Sequence, residues 1–173
     1  MLQARLASIL ALLLLASCTC GRARAQSSEP TLLGQFQDWA AYTYKAPDTK
    51  VCYISSRPKT TEPKSAKRDP AFFLVTHMPG RKVRGEIMTI IGYAFKKDST
   101  VELKIDEAAF ELFSNADGAW ADTTTTEKQI VTAMKSGKSL SLKGTSWRGT
   151  ETLDTYSLER VSAALAKIDD ACK

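Results

Sequence analysis

Val101-Glu102-Leu103-Lys104-Ile105-Asp106 alternates apolar and charged residues with a period of two. That alternation predicts a strand with one face in a core and the other in water. Asp106 to Ala108 then closes a hairpin onto a strand carrying Phe110 and Leu112. Runs rich in Val, Ile, Phe, Tyr and Thr recur on both sides, at about 36–44, 50–56, 71–77, 84–92, 99–105, 109–114, 138–146 and 150–156, with turn residues between them. The pattern predicts a mainly antiparallel β domain. Phe72 to Val75 and much of Ile87 to Ile91 are continuously apolar, which predicts central strands covered on both faces.

Two helical patterns interrupt the strands. Thr126-Glu127-Lys128-Gln129 has the form of a capping box, Ile130, Val131 and Met134 supply an apolar stripe, and Gly137 is placed to end the helix in a left-handed conformation. Toward the C-terminus, Ser157 reads as an N-cap, and Leu158, Val161, Leu165, Ile168 and Cys172 recur at helical spacing. Cys172 therefore lies on a buried stripe. Cys52 shares one strand face with Ile54, opposite Val51 and Tyr53. A helix laid over the sheet brings Cys172 to Cys52, and in an exported protein these two cysteines are expected to pair. The bond closes a loop of about 120 residues, worth roughly 4 to 5 kcal/mol in the chain-entropy model.

Export is read from the N-terminus. Met1 to Arg5 give a short positive start and Leu6 to Ala16 an uncharged apolar run, the pattern of a secretory signal. This run is too short to span a bilayer, which takes about 20 residues. Two cleavage patterns compete. Ala23-Arg24-Ala25 fits signal peptidase and leaves a mature chain beginning at Gln26, whereas Leu15-Ala16-Ser17-Cys18 resembles a lipobox that would leave an acylated Cys18. The first leaves two cysteines that can pair; the second leaves Cys20 as an odd thiol. The domain reading is a signal at 1–25 (alternatively 1–17), a flexible polar tether at 26–34 and one β-rich domain at 35–173.

Charge narrows the function classes. The chain has a net charge of +5, but Arg5, Arg22 and Arg24 belong to the leader, so the remaining 21 Lys and Arg face 19 Asp and Glu. A balance so near neutral argues against a nucleic-acid partner. One cationic stretch stands out, carrying Arg57, Lys59, Lys64, Lys67 and Arg68 together with Pro58 and Pro63, and it reads as an exposed contact loop.

No catalytic, cofactor or metal constellation is apparent. His77 is the only histidine and reads as a strand-end residue making ordinary hydrogen bonds. Gly144-Thr145-Ser146-Trp147-Arg148 has Arg where a nucleophile elbow needs its second glycine. Cys52, His77 and Cys172 lack the close spacing of zinc ligands. Asn115, Asp117 and Asp122 lack the spacing of an EF-hand loop and read as a polar turn. The adjacent acids Asp106-Glu107 and Asp169-Asp170 point to no common substrate.

Taken together, the segments resemble the bacterial invasion-associated locus B family. The matching stretches are Trp39 with Tyr42 and Tyr44, Lys50-Val51-Cys52-Tyr53, Arg68-Asp69-Pro70 leading into Phe72-Phe73, Gly92-Tyr93-Ala94-Phe95-Lys96, Ile105-Asp106, Gly118-Ala119-Trp120, Gly144-Thr145-Ser146 with Arg148-Gly149-Thr150, Asp154-Thr155-Tyr156-Ser157-Leu158, and Ala171-Cys172. Glu107 departs from the glycine expected after the hairpin aspartate. The resemblance implies an exported envelope protein linked to entry into host cells and supplies no catalytic residues.

The expected fold is mainly β with two helices: an antiparallel β-sandwich or partly closed barrel with a packed C-terminal helix. The expected role is that of a non-enzymatic envelope protein, periplasmic or at the cell surface, acting through an unidentified protein partner in the envelope or host. A membrane is engaged only if Cys18 is lipidated, as in an outer-membrane lipoprotein. The alternative is a periplasmic small-ligand carrier or chaperone-like binding module.

Overall fold

The computed structural model describes residues 29–173. The leader readings at Cys18 and at Ala25 and Gln26 lie outside the described residues. Eleven strands form one antiparallel sheet: β1 (Thr31–Phe36), β2 (Trp39–Lys45), β3 (Lys50–Ser56), β4 (Thr60–Glu62), β5 (Phe72–Met78), β6 (Val83–Ile90), β7 (Thr100–Ile105), β8 (Ala108–Asn115), β9 (Gly118–Trp120), β10 (Ser139–Thr145) and β11 (Glu151–Ser157). Their spatial order is β1-β2-β3-β5-β6-β9-β8-β7-β10-β11-β4. The sheet curls without closing: β1 and β4 are its two free edges, yet the Trp39 indole N–H on β2 donates to the Ser157 carbonyl on β11 over 2.9 Å.

All eight expected strands are present, and β1, β4 and β9 join them. Thr31–Phe36 is a strand rather than part of a tether reaching to residue 34. The β7–β8 hairpin turns at Asp106, which adopts a positive φ of 49°. Its carboxylate accepts the Lys138 and Ser139 backbone N–H groups, so the turn is tied to the start of β10 without the glycine at position 107.

The concave face holds the core. Val101, Leu103 and Ile105 turn inward from β7, while Trp39, Phe73 and Tyr156 meet there edge to face across the curl. Helix α2 (Val161–Ala171) packs on this face against β1, β2 and β3, burying Val161, Ala164, Leu165 and Ile168. Its start is shifted from the expectation. Ser157 remains in β11, and Arg160, at φ 65°, makes the entry into the helix without a side-chain cap. Helix α1 (Thr124–Ser136) buries Ile130 and Met134 and contacts β6. Thr123, three residues before the expected cap, accepts the Thr126 N–H. Gly137 is extended rather than left-handed, and it is glycine because a Cβ there would lie 2.7 Å from Ile105 Cγ2.

Cys52 and Cys172 form a disulfide with Cα atoms 6.0 Å apart, joining the end of α2 to β3. In β5 and β6, buried residues alternate with half-buried ones. These strands are central, but they are covered on the concave face only, contrary to the two-sided burial their apolar runs predict.

Cys52→Ser is expected to lower the unfolding free energy by about 4 to 5 kcal/mol, read by thermal and denaturant melts. Leu165→Ala, a truncation in a packed core, is expected to lose about 2 to 5 kcal/mol in the same measurement. A loss near zero would mean that α2 is not packed as described.

Candidate contact surfaces and the buried ion pair beneath them

The cationic stretch divides once it is folded. Arg57 stacks over the Phe72 ring, with its guanidinium 5.3 Å from the ring centroid. Lys59 pairs with Asp38 at 3.2 Å, and its backbone N–H bonds the Thr155 carbonyl, so the chain crosses here from β3 to the far edge strand β4. Lys64 is exposed, and Lys67 lines a cleft. The stretch is thus not one open loop, because Thr60–Glu62 pairs with β11.

Arg68 is not a contact residue. Its side chain is 6% exposed and forks onto Asp154, which has no exposed surface. Nη1 donates to Asp154 Oδ2 over 2.8 Å and to the Ile91 carbonyl over 2.9 Å, while Nη2 donates to Asp154 Oδ1 and to Thr61 Oγ1. Thr61 in turn donates to Asp154 Oδ1. Both carboxylate oxygens are therefore satisfied, as a buried charge requires. Gly92 permits the close passage of the 69 and 92 backbones: at φ 79°, a Cβ would fall 2.0 Å from the Asp69 carbonyl oxygen.

Above this pair lies a cleft of about 460 Å³ between residues 63–67 and the turn at 146–152. Tyr93 forms part of its wall, within 5.9 Å of the Arg68 guanidinium, and its hydroxyl bonds Thr152 Oγ1 at 2.6 Å. Burial pushes the Tyr93 phenol above its ordinary range. Trp147, 63% exposed, stands at the mouth with the Arg148 guanidinium 4.7 Å from its ring centroid.

A second surface occupies the convex face of the sheet. The registers Leu74↔Met88, Met88↔Trp120 and Trp120↔Phe113 place four apolar side chains in one row across β5, β6, β9 and β8. Phe113 is 50% exposed and stacks on Trp120. The neighbouring row holds Tyr42 stacked on Tyr53, then Thr76 and Glu86. Among the described residues, no further layer of secondary structure covers this row.

The residues considered for chemistry have structural partners. The Gly85 N–H donates to His77 Nδ1 over 2.9 Å, which leaves the ring proton on Nε2 facing Asp169 Oδ1 at 3.0 Å. Asp169 also pairs with Arg84, so the histidine fastens the end of α2 to β5 and β6. Ser146 Oγ accepts the Thr150 N–H. Asp122 accepts the Thr126 hydroxyl, and the Asp117 carbonyl accepts the Ile91 N–H. Among the described residues, no group of three or more His, Cys, Asp or Glu is placed to hold a metal, and no helix is long and apolar enough to cross a membrane.

The family model for the invasion associated locus B (IalB) protein matches residues 39–169. The chain belongs to the IalB family. Comparison with curated proteins and with solved structures gives no match. The family match runs from Trp39, whose indole spans the curl, to Asp169, the partner of His77. It therefore takes in both surfaces and the ion pair beneath the cleft.

The cationic stretch is visible in the sequence, whereas the convex row is not. The signal was present in Leu74, Met88, Phe113 and Trp120, yet it becomes a row only once the sheet order is known.

Glu86, beside that row, is raised above the ordinary carboxylate range by burial, with Arg81 opposing, and Glu127 is raised by burial and by the charge of Glu86. A raised carboxylate binds its proton more tightly in the folded state. Its stability cost is therefore present above the folded pKa and disappears as pH falls below the unfolded value. Glu86→Gln in this IalB-family protein is expected to raise the melting temperature by a few degrees at neutral pH. The gain should vanish below about pH 4, where the native glutamate is already protonated. An equal gain at both pH values would contradict this assignment.

Proposed function

We propose that this IalB-family protein is an exported, non-enzymatic component of the cell envelope that acts by holding a protein partner on the convex face of its sheet. The reading places it in the periplasm or at the cell surface, soluble if cut before Gln26 and tethered if acylated at Cys18, with a role in host-cell entry as the family name suggests. One observation carries it: the row Leu74, Met88, Trp120 and Phe113, aligned by register on a face that the domain's own helices leave uncovered. Phe113 is exposed and Leu74, Met88 and Trp120 are half-buried; contiguous apolar surface left open to solvent marks interaction sites in soluble domains, and aromatic residues and methionine are enriched in interface cores.

The packed interior argues against the carrier reading. A ligand lumen would occupy the concave side, and there Trp39, Phe73, Tyr156, Ile54, Ile87 and Leu103 are packed with essentially no exposed surface.

A photo-cross-linking side chain at position 113, introduced in cells of the source organism, is expected to give discrete adducts with an envelope or host protein. Met88→Glu should abolish those adducts while changing the melting temperature by no more than a few degrees. Adducts of equal yield from an exposed position outside the row, such as Lys97, would contradict the proposal, as would adducts that persist in Met88→Glu.

A further inference from the structure

We propose that the cleft formed by residues 63–67, Tyr93 and the 146–152 turn binds an acidic saccharide unit, a ring sugar bearing a carboxylate. This site shares no residue with the convex row and stands independently of the protein partner proposed above. Three features of the cleft point to the class of ligand.

Its lining carries two cations, Lys67 and Arg148, and no carboxylate. Arg68 lies beneath with its charge already met by Asp154, and Glu151, adjacent in sequence, pairs with Lys143 at 3.4 Å. The unmatched charge in the cleft is therefore positive, which selects an anion, and a guanidinium offers the planar fork that a carboxylate fits.

Trp147 is the largest exposed aromatic among the described residues and is held at the cleft mouth by its backbone N–H, which donates to the Ala94 carbonyl over 2.9 Å. A large ring carried into solvent from an anchored backbone, beside hydroxyl groups, gives an apolar platform with polar surroundings. The C–H face of a sugar ring matches that platform, whereas a simple inorganic anion has no use for it. Arg148, stacked at 4.7 Å from the ring, is positioned so that one ligand can touch both groups.

The cleft also presents hydroxyls in fixed positions. Tyr93 and Thr152 are bonded to each other at 2.6 Å, and Ser146, almost fully buried, accepts from the Thr150 N–H and keeps its own proton to donate. Sites that read sugars by hydrogen bonding reject analogues that leave buried polar groups unpaired. The cleft volume of about 460 Å³ suits one to two sugar rings.

The test uses the mature protein, isotope-labelled for NMR, titrated with hyaluronan hexasaccharide, neutral chitohexaose and hexaglutamate. The proposal expects hyaluronan to shift the Trp147 indole resonance, chitohexaose to leave it unmoved, and hexaglutamate to bind more weakly than hyaluronan. Arg148→Ala and Trp147→Ala, both at exposed positions and expected to fold normally, should each weaken hyaluronan binding by about tenfold. Three results would overturn it: no shift at Trp147, hexaglutamate binding as tightly as hyaluronan, or hyaluronan binding unaffected by Trp147→Ala. The last two would identify a general polyanion surface. None of these outcomes bears on cross-linking at position 113.

Discussion

Asp154 is a carboxylate with no exposed surface, and the curled form of this sheet depends on Arg68 reaching it. The guanidinium draws together three separate pieces of chain: edge strand β4 through Thr61, strand β11 through Asp154, and the segment after β6 through the Ile91 carbonyl. A buried pair of this kind adds little net stability over an apolar substitute, but leaving one partner unpaired is costly. Its role is therefore better described as specification. The arrangement that brings residues 61, 68, 91 and 154 together satisfies both charges, and it fixes where β4 and β11 lie relative to the segment after β6.

The rest of the architecture follows from that curl. Once β11 faces β2, the Trp39 indole can bond the Ser157 carbonyl, and Tyr156, Phe73 and Trp39 share one interior. Helix α2 packs on the same concave side, and the disulfide and the His77–Asp169 bond hold its end there. Both helices are then committed to one face. The convex face keeps Leu74, Met88, Trp120 and Phe113 without a cover, and the segment leading to Arg68 forms one side of the cleft. Both candidate surfaces thus derive from the same closure.

Much of this was legible in the sequence where a local period carries the information. Val101 to Asp106 gave its strand and its inward face, Leu165 to Cys172 gave the helical stripe, and the stripe led to Cys52. What was not legible required non-local knowledge. Thr60–Glu62 is too short and polar to read as a strand, and it is one only because β11 lies beside it. Arg68 looks like any of its cationic neighbours, and nothing in residues 57–68 announces a buried acid at 154. The apolar runs of β5 and β6 were real, but a run cannot say whether its second face is covered by the same chain or left for another molecule. Cap positions slipped because Thr123 and Thr126 are chemically equivalent candidates, and because Arg160 enters α2 through a left-handed backbone instead of a side-chain cap.

The most direct test is a double-mutant cycle on Arg68→Met and Asp154→Leu, followed by denaturant unfolding of the oxidised domain. Each single variant, leaving one buried charge unpaired, should lose about 3 to 5 kcal/mol, and the double variant should lose much less than their sum. If Arg68→Met instead changes stability by no more than about 0.5 kcal/mol, as a solvated surface residue would, the ion pair does not hold the curl and the account fails at its centre.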